Sequence, residues 1–77
     1  MNFAELIVYN TYIIKNEEGK LYIGQTNNLE KRLTKHNANK SIYTRNKGPW
    51  ELIFYKSFGS RKDAVEFERL LKKTERR

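Results

Sequence analysis

The segment KLYIGQTNNLEKRLTKH, residues 20–36, raises a chemical question before a structural one. Its second half has helical periodicity, with Leu29, Arg32, Leu33 and His36 at i, i+3, i+4 and i+7 on one face. A stripe built only to pack would carry leucine or alanine at 32 and 36. The last helical segment breaks in the same way: Ala64, Phe67 and Leu71 mark its apolar stripe, and Glu68 lies on it. A carboxylate on a packing face is costly unless it is paired, hydrogen-bonded or metal-bound, or sits at the edge of the stripe and reaches water. Two helices that are both polar on their inward faces predict a polar site shared over the sheet. The plainer alternative is an Arg32–Glu68 ion pair that only orders the fold. Tyr12 and Tyr22 are the third element. They lie on two strands separated by a short turn, so both can face one spot. Gly24, ending the second strand beside Gln25, Thr26 and Asn27, leaves room for a backbone or ligand to come close.

The elements that must position these residues follow from patterning. LIVYNTYII, residues 6–14, is rich in β-branched and aromatic types and predicts a strand. NEEGK at 16–20 is a turn, with Gly19 free to take positive φ. LYIGQ at 21–25 then completes an antiparallel hairpin. Asn27 or Asn28 caps a helix running to about Asn37. Residues 38–49 form a polar, basic loop stopped by Gly48-Pro49. WELIFYKSF, residues 50–58, is apolar on both faces, which predicts a third strand that is central or well covered. Ser60 and Asp63 open a final helix over 61–73. The expected fold is α+β in the order β-β-α-β-α, a small three-stranded antiparallel sheet flanked by helices. No repeat, low-complexity tract or linker divides it, so residues 1–77 read as one small domain.

Charge narrows the partner. Residues 1–30 hold two lysines against four glutamates, whereas residues 31–77 hold fourteen basic against five acidic side chains, and the chain carries +7 overall. A basic surface interleaved with aromatics suits a polyanion, most simply a nucleic acid, although a basic surface also serves solubility. Without cysteine there is neither a disulfide nor a thiolate zinc site, in keeping with a reducing cytoplasm. Apolar runs such as ELIVYNTYII are too short to span a membrane, and no signal-peptide pattern precedes them. The expectation is a soluble cytoplasmic domain with no membrane partner.

Tyr22-Ile23-Gly24 following Asn10-Thr11-Tyr12 resembles the paired motif of the GIY-YIG nuclease superfamily. The arginine and histidine of LEKRLTKH and the glutamate of AVEFERLLKK fall where that family has them. YTRNKGPWELIFYKSF is similar to a segment of its small stand-alone members, the group related to the amino-terminal nuclease domain of the excision-repair subunit UvrC. The resemblance runs from about residue 8 to 73. It implies a metal-dependent endonuclease cutting a nucleic-acid backbone, DNA ahead of RNA, with DNA repair as the setting. Glu68 would hold one Mg²⁺ or Mn²⁺, since a hard cation that keeps its waters needs only one protein carboxylate. Arg32 would grip the scissile phosphate. Tyr22 would take the proton of the attacking water, Tyr12 would help position that water, and His36 would support Tyr22 or the phosphate.

Two departures from the pattern bear on activity. Only the tyrosine of Asn10-Thr11-Tyr12 matches the name motif. Gln25 stands where some catalytic members carry a lysine, and a neutral amide cannot supply that charge. Gly24 and Gln25 are expected against the nucleic acid. Lys35, Lys40, Arg45 and Lys47 are candidates for phosphate contacts, and Tyr43 for stacking on an unpaired base. Nothing resembles a base-reading helix, so recognition of backbone shape is expected. A nucleic-acid-binding module that keeps the fold without the catalysis is the competing reading. For so small a domain a second copy or a protein partner stays open.

Overall fold

The computed structural model describes residues 7–75. Strand β1 is Tyr9–Lys15, β2 Leu21–Thr26, helix α1 Leu29–Asn37, β3 Glu51–Phe58 and α2 Arg61–Glu75, the expected α+β order of elements. Among these described residues no helix is long and apolar enough to cross a membrane.

Branched and aromatic side chains extend β1, and its length is set by its partners. Tyr9 pairs with Phe58 and Asn10 with Thr26, where the neighbouring strands run out. The strand expected from residue 6 therefore starts at Tyr9: Ile7 and Val8 are exposed, and Leu6 lies outside the described residues. Gly19 takes φ +89 in the hairpin turn, as the turn chemistry requires. Asn16 closes that turn by accepting from the Glu18 and Lys20 amides through Oδ1.

The sheet order is β2-β1-β3, antiparallel throughout. This corrects the expectation for the third strand. β1 is central and β3 is an edge, with Ile53, Phe54 and Tyr55 all exposed. Apolar residues on both faces of a segment mark a buried strand only when both faces are covered, and here the cover is partial.

Alternation along β1 sends Tyr12 and Ile14 to one face and Thr11 and Ile13 to the other. On the first face Tyr12, Ile14 and Trp50 form the core, with Tyr22, Leu29, Leu33 and Leu52 packed on it. Helix α1 covers this face. Its N-cap is Asn28, whose side chain accepts from the Lys31 amide at 3.0 Å. Its C-terminus ends in a Schellman arrangement: Asn39 takes φ +62, its amide bonds His36 O, and the Lys40 amide bonds Lys35 O. Trp50 is fixed by Asn37, which accepts from the Trp50 amide at 2.7 Å and donates to its carbonyl at 3.2 Å.

Helix α2 covers the other face and runs to Glu75 rather than 73. The Ser60 hydroxyl accepts from the Asp63 amide at 3.2 Å at its start. Thr11 donates through Oγ1 to the Ala64 carbonyl at 2.6 Å, and Ala64 is buried. Phe67 lies against Phe54 and Phe58, with the Lys56 ammonium over the Phe67 ring. The two helices thus lie on opposite faces of the sheet, so Arg32 and Glu68 do not meet over a single face.

Thr11→Val keeps the shape but removes the bond that docks α2 on β1. Urea unfolding is expected to show a loss of about 1 kcal/mol.

Candidate active site

Register brings the tyrosines together. Tyr12 stands opposite Gly24, which puts Tyr22 on the neighbouring diagonal of the same face, with ring centroids 6.3 Å apart. Gly24 is what lets Tyr12 lie down. A Cβ there would sit 2.8 Å from the Tyr12 hydroxyl and 3.1 Å from the Tyr22 ring. The space that glycine leaves is taken by the Tyr12 hydroxyl itself.

That hydroxyl shares a 2.8 Å hydrogen bond with His36 Nε2. His36 Nδ1 in turn shares one of 2.7 Å with Thr44 Oγ1. Tyr12, His36 and Thr44 are all essentially inaccessible to water. The Thr44 carbonyl accepts from Trp50 Nε1 at 3.1 Å, so the loop after α1 is locked to the same chain. Among the described residues no buried side-chain nitrogen or oxygen is left without a partner. Burial pushes the Tyr12 phenol far above its ordinary range. Tyr22 and the Glu68 charge raise it further, and the Arg32 charge opposes them. Burial likewise lowers the His36 pKa, as do the charges of Arg32 and Lys35. Both groups are therefore neutral at pH 7. His36 is enclosed as the partner of Tyr12 and Thr44, not a ligand reaching for a phosphate.

Tyr22 is half-buried and is the more accessible of the two phenols. Its ring leans on His36, centroids 4.9 Å apart at 60°, and runs nearly parallel to Tyr43 at 23°. Arg32 is half-buried in a cleft at the start of α1, with Asn27, Asn28, Lys31 and Lys35. Glu68 lines a second cleft with Arg69, Lys72 and Lys73, and its Oε2 lies 2.7 Å from Lys72 Nζ. The partner of Glu68 is therefore the lysine one turn further on, and the Arg32–Glu68 pair does not form.

The donor set limits what metal it can hold. Among the described residues no three of His, Cys, Asp and Glu converge, so there is no all-protein cage. A hydrated Mg²⁺ or Mn²⁺ completed by substrate phosphate needs one carboxylate, and the Glu68 side chain, 19% exposed, meets that requirement. Its counter-charge comes from Lys72, which is half exposed.

The remaining candidates separate. Lys35, Lys40, Tyr43, Arg45 and Lys47 are exposed. Gln25 pairs with Thr11 and so faces α2, where its Oε1 accepts from Arg61 Nη1 at 3.2 Å. It turns away from the tyrosines. Thr44 is the residue that patterning missed: a threonine in a basic loop carries no periodic signal. The one clue is that a buried histidine and an indole both need partners.

A sequence profile of the family described as the GIY-YIG catalytic domain matches residues 8–77. The chain is similar to a UPF0213 protein of Bacillus pumilus, 41% identical over 58 residues, which are 74% of this chain and 59% of that one. It thus spans less than two thirds of that relative. It is also 41% identical to a UPF0213 protein of Clostridium perfringens, over 84% of this chain and 71% of the other. The solution NMR structure of the UPF0213 protein BH0048 from Bacillus halodurans matches with a TM-score of 0.53 at 31% identity, over 86% of this chain and 71% of that one.

Gly24→Ala forces a methyl group into the Tyr12 hydroxyl. It is expected to cost about 2 kcal/mol in urea unfolding, with loss of the Tyr12–His36 bond. The lowered His36 pKa makes a second prediction. The unfolded chain takes up a proton near pH ~6.5 while the folded chain does not, so stability is full above that pH and falls as pH drops from about 6.5 towards the folded value. His36 is the sole histidine, so unfolding free energies measured between about pH 7 and 5.5 should lose most of this slope in His36→Gln.

Proposed function

The chain belongs to the GIY-YIG family, a family of nucleases, and from that premise we propose a divalent-metal-dependent endonuclease that hydrolyses phosphodiester bonds in DNA and selects its substrate by backbone structure. The observation that carries the proposal is the packing of Tyr12, Tyr22 and His36 into one cluster over Gly24, with half-buried Arg32 on the same helix as His36.

In this reading Arg32 receives the scissile phosphate, its fork of donors matching two phosphate oxygens as negative charge grows. Glu68 would hold a divalent cation in place of Lys72, and that cation would supply positive charge to the phosphate and the leaving 3′ oxygen. Tyr22 accepts the proton of the attacking water. Tyr12, whose hydroxyl is already held by His36, acts through position: it fixes the ring beside Tyr22 and keeps the floor of the site neutral. An unassisted phenol keeps its proton at neutral pH. The base therefore depends on cations at the site, and Gln25, neutral and turned to Arg61, supplies none. Lys35, Lys40, Arg45 and Lys47 contact neighbouring phosphates, which position the strand without reading its sequence.

A second reading, a nucleic-acid clamp without catalysis, is favoured by one observation: Glu68 is already neutralised by Lys72 in a cleft with two further cations. One experiment separates the two. Labelled plasmid, flap, junction and single-stranded DNAs, with RNA counterparts, are incubated at low salt with Mg²⁺ or Mn²⁺. The nuclease reading expects cleavage that needs metal and is lost in Glu68→Gln. Arg32→Ala should slow it about a hundred- to a thousand-fold, the usual cost of removing one electrostatic stabiliser. Binding without cleavage, equal or tighter in Glu68→Gln, would establish the clamp and overturn the nuclease.

A further inference from the structure

The two most exposed large apolar side chains among the described residues are adjacent: Ile42 at 78% and Tyr43 at 73%. They stand on a turn that is held from several sides. The next residue, Thr44, is buried and bonded to His36, its carbonyl takes the Trp50 indole, and its amide bonds Ser41 O. Further along, the Asn46 amide donates to Asn39 Oδ1, and Asn16 Nδ2 donates to the Lys47 carbonyl. The exposed pair is thus carried on a fixed support. One side of the Tyr43 ring faces Tyr22, nearly parallel at 23° with centroids 6.5 Å apart, and the rest of the ring is open. Exposed Lys40 and Arg45 flank it in sequence.

We propose that Ile42 and Tyr43 form a stacking platform for one unpaired base of a nucleic acid, the nucleotide next to the phosphate held at Tyr22 and Arg32. This rests on the nucleic-acid reading above and names its substrate class: strands with an unpaired nucleotide at the site, as in flaps, junctions and single strands. Three features select this occupant. A base inside a duplex has both π-faces covered by its neighbours, whereas an unpaired base offers one to any aromatic ring, whatever its identity. The cations beside Tyr43 suit the phosphates on either side of that base and oppose a basic partner. The contact of Tyr43 with Tyr22 places the base at the reacting phosphate, not at a remote anchor. Thr44 points inward from the same turn, so a strand bound to Tyr43 bears on the residue that holds His36.

The test measures binding in metal-free buffer, independently of cleavage. Oligonucleotides carry 2-aminopurine either at an unpaired flap position or within a continuous duplex. The wild type and Tyr43→Phe should quench the unpaired probe on binding. Tyr43→Ser should not quench it and should bind it about tenfold more weakly, with duplex binding changed less than about twofold. Tyr43 is exposed, and Trp50 fluorescence checks that Tyr43→Ser keeps the fold. Equal binding of both probes by wild type and Tyr43→Ser, without quenching, would overturn the platform. So would a dimer in sedimentation that Tyr43→Ser dissociates with DNA binding unchanged, since the pair would then be a contact between copies. Failure of the nuclease reading looks different: quenching persists and no substrate is cut. Cleavage with an unchanged flap-to-duplex ratio in Tyr43→Ser would sink the platform alone.

Discussion

The structure depends on a buried chain of three side chains, Tyr12, His36 and Thr44, laid across the glycine at position 24. Polar atoms inside a small domain are destabilising unless every one is bonded, and here each end of the chain anchors a different part of the fold. Tyr12 belongs to the central strand, His36 to α1, and Thr44 to the loop that carries the basic and aromatic surface. Gly24 makes the arrangement sterically possible, because any side chain there would strike the hydroxyl. The same two bonds hold both the core and the candidate site in shape. A change at this point alters stability and site geometry together.

Around this neutral floor the charges are arranged from two directions. Arg32 comes from the helix on the tyrosine face and Glu68 from the helix on the opposite face, and they act on the Tyr12 phenol with opposite sign. Glu68 is balanced meanwhile by Lys72, a contact within one helix. The result is a small scaffold with a rigid, uncharged interior and opposed charges at its margin.

The sheet has one central strand and two edges. One edge, β3, is exposed and apolar, and Lys56 and Glu51 are the charged residues along it. Charge on an edge strand discourages pairing with other strands, and the Lys56 ammonium also covers the Phe67 ring. The other edge, β2, carries the tyrosine and glycine on which the site is built.

Much of this was legible in the sequence. The order of elements, the N-cap, the hairpin and its glycine follow from local rules of propensity and turn chemistry, which operate over a few residues. The polar breaks at Arg32, His36 and Glu68 were visible because a helical stripe has a fixed period and each residue interrupts it. Tertiary structure decided the rest, since it depends on pairing between distant segments. Ladder partners set the start of β1 and made β3 an edge, although its residues are apolar on both sides. The choice of faces separated the two helices and gave Glu68 a lysine of its own helix in place of Arg32. The bonding needs of a buried imidazole recruited Thr44 from a loop without any pattern. Residue type and spacing fixed which groups are available for chemistry. Which of them are enclosed and which stay open to a substrate was settled only when strands and helices packed, because burial belongs to the assembled chain and not to any segment of it.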